Sequence, residues 1–252
     1  MNINFLKKYF WQDTDSVINP KYKKIVDGHK YWHIVKGKKV LLVAHVDTVQ
    51  VPKYRGTRNG VIYASGLDDR LGVFLAMNLL RERTDIDVLL TDEEESANST
   101  ASLIPAENLA GYNCIIGLDR GGNDFVDYNL ANDDLIEAYS RFAPLELGSF
   151  SDISFLIDPP CGCINIGIGY QYAHSKFSYA REKDILKAYN DVSLFLNQYQ
   201  DVKFEKADPF CSENICLKCG EVLDISNSSW YCDKCEEIMN EYDYIYRMAY
   251  DD

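Results

Sequence analysis

The sequence lacks long apolar runs and has little positive charge. No window approaches the roughly 18 to 20 consecutive apolar residues that a membrane helix needs, which excludes a spanning helix. Lysine and arginine number 26 against 39 aspartates and glutamates, so the formal net charge is -13. A chain of this charge repels a phosphate backbone, and nucleic acid is therefore a disfavoured partner.

The remaining composition is that of an ordinary globular protein. Hydrophobic residues make up 46% and charged residues 26% of the 252 positions, which excludes wholesale disorder. Residues 1–11 contain neither an uninterrupted apolar stretch nor a small-residue cleavage site. We therefore expect a cytoplasmic protein without a membrane anchor.

Apolar runs and amphipathic segments alternate along most of the chain. Strands are predicted at residues 31–35, 39–44, 61–64, 86–90, 114–118 and 163–168, and helices at 69–82, 151–157 and 182–199. Such alternation predicts an α/β fold, a three-layer sandwich with a mostly parallel central sheet and helices on both faces.

Four cysteines near the carboxyl terminus form a second pattern. Cys216-x2-Cys219 and Cys232-x2-Cys235 have the two-knuckle spacing by which thiolates hold one tetrahedral zinc ion. Disulfides are the alternative, but a reducing compartment favours zinc. We predict a main domain at 1–205, a zinc ribbon with one structural Zn²⁺ at 210–238, and an acidic, tyrosine-rich tail at 239–252.

Polar residues gather where the predicted strands end. Each has a simple alternative explanation, such as a helix N-cap for an aspartate or a solvated first helical turn for a glutamate. Together they supply the nitrogen and oxygen ligands, and the shared carboxylate, that a pair of divalent metal ions needs. These residues are His45, Asp47, Asp68, Asp69, Glu93, Glu94, Asp119 and His174.

These segments resemble the co-catalytic dizinc exopeptidases. The matching motifs are Ala-His-Val-Asp-Thr-Val at 44–49, Gly-Leu-Asp-Asp-Arg-Leu-Gly at 66–72, Thr-Asp-Glu-Glu at 91–94, Leu-Asp at 118–119 and Ala-His-Ser at 173–175. The resemblance covers about residues 38–200. That clan includes leucyl and glutamyl aminopeptidases, the tripeptidase and carboxypeptidase G group, and aminoacylases.

The resemblance implies an active site with two Zn²⁺ or other divalent ions. It makes His45 and Asp119 ligands of one metal, and Glu94 and His174 ligands of the other. Asp68 becomes the carboxylate that bridges them.

The resemblance also implies the catalytic roles. Glu93 becomes the general base, and Asp47 supports the first histidine. The matching peptide bond between Asp68 and Asp69 is often cis in the family. For the group that stabilises the oxyanion, Tyr170 and Tyr172 are the candidates.

Two intervals are shorter than in larger members of the clan. The interval of 55 positions from Asp119 to His174 is too short for a lid domain, and the interval of 23 positions from His45 to Asp68 is too short for an inserted domain. A minimal catalytic core is therefore expected.

The expected function is a metal-dependent hydrolase of peptide or related amide bonds, most simply an aminopeptidase. One alternative is a deacylase of N-acyl amino acids or small metabolites, with Arg70, Arg120, Arg141 or Lys176 recognising a carboxylate. Another is an inactive fold that serves as a zinc-ribbon interaction module. Partners would be a peptide or N-acylated substrate, and a second copy or another protein bound through the ribbon and tail.

Overall fold

The computed structural model describes residues 1–10, 18–207, 230–232 and 237–239. The chain divides into two compact units, Met1–Lys206 and Ala207–Asp252. Among the described helices, none has the length and apolar character needed to cross a membrane.

The first unit alternates strands and helices. Its strands are β1 (Lys23–Val26), β2 (His29–Ile34), β3 (Val40–His45), β4 (Lys53–Arg58), β5 (Val61–Ser65), β6 (Ile86–Thr91), β7 (Cys114–Arg120), β8 (Phe125–Val126), β9 (Cys163–Gly167), β10 (Tyr170–Gln171) and β11 (Tyr179–Arg181). Its α-helices are α1 (Leu67–Glu82), α2 (Ala106–Leu109), α3 (Asp133–Ser140) and α4 (Glu182–Tyr199). Turns of 3-10 helix cover Ile3–Phe10, Pro20–Tyr22, Glu94–Ser96, Thr100–Leu103 and Asp152–Phe155.

The central sheet has seven strands in the order β1-β2-β6-β3-β7-β9-β8. Neighbours β6, β3, β7 and β9 are parallel, and only β2 and β8 run against the common direction. All six residues of β3 are buried, as are all six of β6. Because both faces of these strands are covered, they show the continuous apolar runs typical of a parallel sheet.

Alternate side chains of the central strands enter two separate cores. Leu42 and Ile116 join the larger core, which also takes the buried face of α1, including Phe74. Leu41 and Ile115 point to the other face, which is covered by shorter segments. The predicted mixed α/β fold, with a mostly parallel sheet flanked by helices, is confirmed.

A second sheet was not predicted. It has four strands in the order β10-β11-β5-β4, with antiparallel pairing throughout. Strands of two or three residues carry too little periodicity to be recognised. In β4, Tyr54 is the one hydrophobic side chain among exposed and half-buried residues. The helix predicted at 151–157 is a 3-10 turn at Asp152–Phe155.

In the second unit, the structure describes one antiparallel pair, β12 (Trp230–Cys232) with β13 (Glu237–Met239). Cys216, Cys219 and Cys235 lie outside the described residues, as does the tail beyond Met239. The zinc ribbon, its metal ion and the tail therefore stay predictions.

Candidate metal centre

The predicted polar residues meet at the carboxyl end of the parallel strands. His45 is the last residue of β3 and pairs in register with Thr91, the last residue of β6. Asp119 stands near the end of the neighbouring strand β7. Asp68 lies in the first turn of α1, and His174 follows β10. Carboxyl ends of parallel strands share one edge of the sheet, so the fold brings these residues together.

The first half of the site surrounds His45. Its Nε2 atom is 3.3 Å from Asp68 Oδ1 and 3.3 Å from Asp119 Oδ1. The imidazole is fully buried, yet no described group completes a hydrogen bond to Nε2. A buried nitrogen that faces two carboxylates without a hydrogen bond is a candidate metal ligand.

The second half surrounds His174. Its Nε2 atom is 3.2 Å from Asp68 Oδ2 and 2.9 Å from Glu95 Oε2. Asp68 thus turns one carboxylate oxygen toward each histidine. This is the arrangement that a carboxylate shared between two metal ions requires.

The two histidines differ in exposure. The side chain of His45 has no solvent-accessible area, whereas that of His174 is 57% exposed. The site is therefore closed on the sheet side and open on the side of the loop after β10.

Crowded charges shift the protonation of the first half. Burial disfavours the charged imidazole of His45, but the Asp119 carboxylate, with Asp47 and Asp68, outweighs it and raises the pKa of His45 well above its usual range. Burial, reinforced by Asp68 and Glu94, raises the pKa of Asp119 well above its usual range despite His45.

The bridging carboxylate is shifted in the opposite direction. Burial would raise the pKa of Asp68, but its close contacts with the imidazoles of His174 and His45 outweigh burial and lower that pKa. Positive charge near Asp68 is thus strongly favoured, which is what bound cations supply.

The Nδ1 side of His45 is held by Asp47. Nδ1 lies 3.3 Å from Asp47 Oδ1 and 3.1 Å from the Asp47 carbonyl oxygen. The other carboxylate oxygen, Oδ2, accepts a hydrogen bond of 3.0 Å from the backbone N–H of Glu95. Asp47 thus fixes the imidazole of one histidine and the backbone of the glutamate that faces the other.

Asp69 holds the backbone around the cluster. The peptide bond between Asp68 and Asp69 is cis. The Asp69 carboxylate accepts hydrogen bonds from the backbone N–H groups of His45, at 3.2 Å, and Gly72, at 2.9 Å. Burial and the nearby Asp119 raise its pKa well above the usual range.

The three glutamates have different contacts from those that the predicted roles require. Glu93 was expected to be the general base, but its carboxylate bonds His29 Nδ1 at 2.7 Å and Asn98 Nδ2 at 3.1 Å. Glu94 is the predicted metal ligand beside His174, whereas the glutamate that contacts His174 Nε2 in the structure is Glu95, at 2.9 Å. Glu93 has a left-handed backbone (φ 65°), and its side chain points toward His29 and not toward His45 or His174.

Glu94 instead lies inside the cluster without bonding either histidine closely. Its Oε2 atom is 3.8 Å from His45 Nε2, and the residue is 7% exposed. Burial, with Asp152 and Glu95 adding negative charge, raises its pKa to about 7 despite His45. A carboxylate that protonates near neutrality is suited to proton transfer.

Asp152 is a buried carboxylate that sequence analysis did not single out. Its Oδ1 atom accepts hydrogen bonds from Thr91 Oγ1 at 2.7 Å and Ser99 Oγ at 2.5 Å. It ties the 3-10 turn that it begins to the end of β6. A lone aspartate in a weakly patterned segment gave no signal for this role.

The residues predicted to stabilise the oxyanion or bind the substrate differ in burial and in their contacts. Tyr170 is buried, and its burial and the adjacent Asp119 and Asp68 raise its pKa well above the usual range. Tyr172 is 68% exposed. Arg120 bonds Asp124.

Other predicted carboxylate-binding groups lie apart from the cluster's contacts. The guanidinium of Arg141 bonds Glu137 and Tyr199. Lys176 is exposed, and its ammonium lies over the ring of Phe177.

The donor set fits divalent cations. Three-residue groups whose ligand atoms lie within 4.8 Å of one another include His45 with Asp68 and Glu95, and His45 with Asp69 and Asp119. Donors bound at about 2.1 Å to one tetrahedral zinc ion lie about 3.4 Å apart, close to the separations seen here. Imidazole and carboxylate are the ligands that zinc and similar ions take in proteins.

Comparison with known proteins identifies the architecture. Neither known family models nor curated protein sequences match this chain. A tripeptidase from Staphylococcus aureus superposes with a TM-score of 0.59 at 12% identity, over 79% of this chain and 98% of the tripeptidase. The chain has the fold of a peptidase. Aminopeptidase PepT from Bacillus cereus gives a TM-score of 0.54 at 12% identity, over 77% of this chain and 91% of PepT.

A third similar structure is that of a peptidase that forms large oligomers. The Pyrococcus horikoshii TET1 peptidase, which can form a tetrahedron or a large octahedral shell, gives a TM-score of 0.50 at 11% identity. The match covers 68% of this chain and 87% of that one. At these identities the similarities establish a shared fold.

Proposed function

We propose that this protein is a metal-dependent hydrolase of peptide bonds, an aminopeptidase with a two-metal centre. The observation that carries the proposal is the Asp68 carboxylate, whose two oxygens face His45 and His174 at 3.3 and 3.2 Å. The fold shared with aminopeptidases supports it, as does the position of these residues at the carboxyl ends of the strands, where open α/β sheets bind their ligands.

The residues would divide between two cations. His45, Asp119 and one oxygen of Asp68 would hold the first. Glu95, His174 and the other oxygen of Asp68 would hold the second. This ligand set differs from the predicted one only in the glutamate.

Glu94 is then the group that moves the proton. Bound divalent cations supply a Lewis acid that polarises a carbonyl and makes water nucleophilic near neutral pH. The Glu94 carboxylate accepts a proton from the attacking water and returns it to the leaving amide nitrogen. Asp47 keeps Nδ1 of His45 protonated, so that Nε2 carries the lone pair that a cation needs.

The charge around the site favours a substrate with a free amino terminus. Asp47 and Asp152 add carboxylates beyond the five residues of the two cation sites. The nearby cations Lys30 and Arg120 already pair with Asp92 and Asp124. An α-ammonium group is attracted to such surroundings, whereas the carboxylate of an N-acyl amino acid is repelled.

The test is hydrolysis of paired substrates after metal removal and restoration. Aminoacyl anilides with free amino groups should be cleaved by the full chain after Zn²⁺, Mn²⁺ or Co²⁺ is added, and not in excess chelator. The same compounds with an acetylated amino group serve as the control. Preferential cleavage of N-acyl amino acids would favour the deacylase, and inactivity with every divalent ion would refute the proposal.

A further inference from the structure

Asn165 is a polar residue in the middle of an otherwise apolar strand. It stands in β9, where it is 1% exposed between Ile164 and Ile166. A buried amide needs partners for its oxygen and for both hydrogens of its nitrogen. The hydrogen-bond partners of this amide therefore indicate the role of Asn165.

The amide of Asn165 binds both backbone groups of Asp119. Its Oδ1 atom accepts a hydrogen bond of 3.0 Å from the Asp119 N–H, and its Nδ2 atom donates one of 2.8 Å to the Asp119 carbonyl oxygen. The second hydrogen of Nδ2 goes to the hydroxyl of Tyr128 at 3.2 Å. All the hydrogens of the amide are used, so its orientation is fixed.

These bonds replace sheet pairing where β7 is irregular. Gly117 pairs with Asn165 and Arg120 with Gly167, so β7 advances three residues while β9 advances two. Asp119 lies within this bulge. A bulge interrupts the ladder and re-aims a side chain. The Asn165 side chain therefore makes the two backbone hydrogen bonds to Asp119 that a neighbouring strand would otherwise make.

Neighbouring residues are fitted to this amide. A Cβ atom added to Gly117 would lie 2.7 Å from Asn165 Oδ1, so glycine leaves the space that the amide occupies. On the far side, the Tyr128 hydroxyl donates a hydrogen bond of 3.2 Å to the Phe150 carbonyl oxygen, which anchors it.

We infer that Asn165, oriented by Tyr128, is a positioning residue that sets the cation affinity of the half of the site formed by His45 and Asp119. The inference rests on the proposed two-metal centre. Because the backbone of Asp119 is held on both sides, its carboxylate is presented toward His45 at small entropic cost. Loss of such outer partners lowers metal affinity by about 10-fold to 100-fold.

The test is a Mn²⁺ titration of the full chain, in which the free ion is measured by electron paramagnetic resonance. Mn²⁺ is chosen because it prefers carboxylate and imidazole ligands to thiolates, so the predicted zinc ribbon contributes little. Asn165→Ala is compared with Asn78→Ala, a matched truncation of another buried amide, which bonds the Phe74 carbonyl oxygen within α1. Thermal unfolding of each metal-free protein is recorded alongside.

We expect the native chain to bind two Mn²⁺ ions. In Asn165→Ala, the Kd of one of them should rise about 10-fold to 100-fold. Asn78→Ala should keep both native Kd values even if it loses as much thermal stability. Tyr128→Phe, which removes only a hydroxyl, should raise the Kd of the same ion by a smaller factor and serves if Asn165→Ala does not fold.

Two results would overturn the inference in different ways. Native Mn²⁺ binding in both Asn165→Ala and Tyr128→Phe, or equal weakening in Asn78→Ala, would make Asn165 a residue of the core alone and leave the metal centre standing. Failure of the native chain to bind two Mn²⁺ ions would refute the two-metal centre and this inference with it.

Discussion

Three adjacent glutamates test the active-site assignment directly. Each is replaced by glutamine, which keeps the size of the side chain and removes its charge. The proposal assigns proton transfer to Glu94 and cation binding to Glu95, and it gives Glu93 no part in the reaction. The three variants should therefore fail in three different ways.

The largest loss of turnover should come from Glu94→Gln. A positioned general base contributes about 100-fold to 10,000-fold to the rate, which corresponds to about 2.7 to 5.5 kcal/mol in the activation free energy. Glu94 is 7% exposed and stands 3.8 Å from His45 Nε2, so few water molecules can replace it. Its metal content should stay at the native value.

Glu95→Gln should lose metal as well as activity, because Glu95 lies 2.9 Å from His174 Nε2 in the second half of the site. Glu93→Gln should stay within about fivefold of native kcat, since its pair with His29 is partly exposed and such pairs contribute at most about 1 kcal/mol.

The measurements are kcat on the best aminoacyl substrate and metal per chain by elemental mass spectrometry, with thermal unfolding as a control for folding. If Glu93→Gln abolishes turnover at native metal content while Glu94→Gln retains it, the assignment drawn from the geometry is wrong. The one drawn from the motif would then be right.

Three further predictions concern stability. Gly72→Ala should lower the free energy of unfolding by about 2 to 3 kcal/mol in denaturant titrations, because its Cβ would lie 2.1 Å from the Leu118 carbonyl oxygen. Burial lowers the pKa of His33, although Asp87 opposes this. The free energy of unfolding should therefore be highest above about pH 6.5 and fall as the pH drops below that value. His33→Gln should reduce this dependence of the unfolding free energy on pH, and an unchanged dependence would contradict the prediction. Chelation should lower the thermal midpoint, since ions present at about 100 times their Kd add about 2.7 kcal/mol; an unchanged midpoint would argue against tight binding.

The sequence predicted the positions of those proposed ligands that lie at the boundary of a strand or helix. His45 and Asp119 end buried apolar runs, and Asp68 precedes an amphipathic helix, so their position followed from where regular structure stops. The parallel order of the strands then brought them to one edge of the sheet. For these residues, hydrophobic periodicity was sufficient.

The glutamates could not be assigned in that way. Three identical residues in a row show no periodicity that would tell which of them faces the site. Their orientation depends on the backbone turn that follows β6. That turn is set by the left-handed residue Glu93 and by the hydrogen bond from the Glu95 N–H to Asp47, a contact across 48 positions. Asn165 did carry a signal, because an amide within a buried apolar strand is unusual, but its partner lies on another strand.

The unequal exposure of the two histidines has a kinetic consequence. An ion beside the buried His45 would have to shed its last ligands without water close by to replace them, whereas an ion beside the half-open His174 can exchange ligands one at a time with solvent. We therefore expect one long-lived ion and one that turns over rapidly. Under metal scarcity, the chain would then persist as a half-loaded protein whose activity follows the concentration of free cation around it.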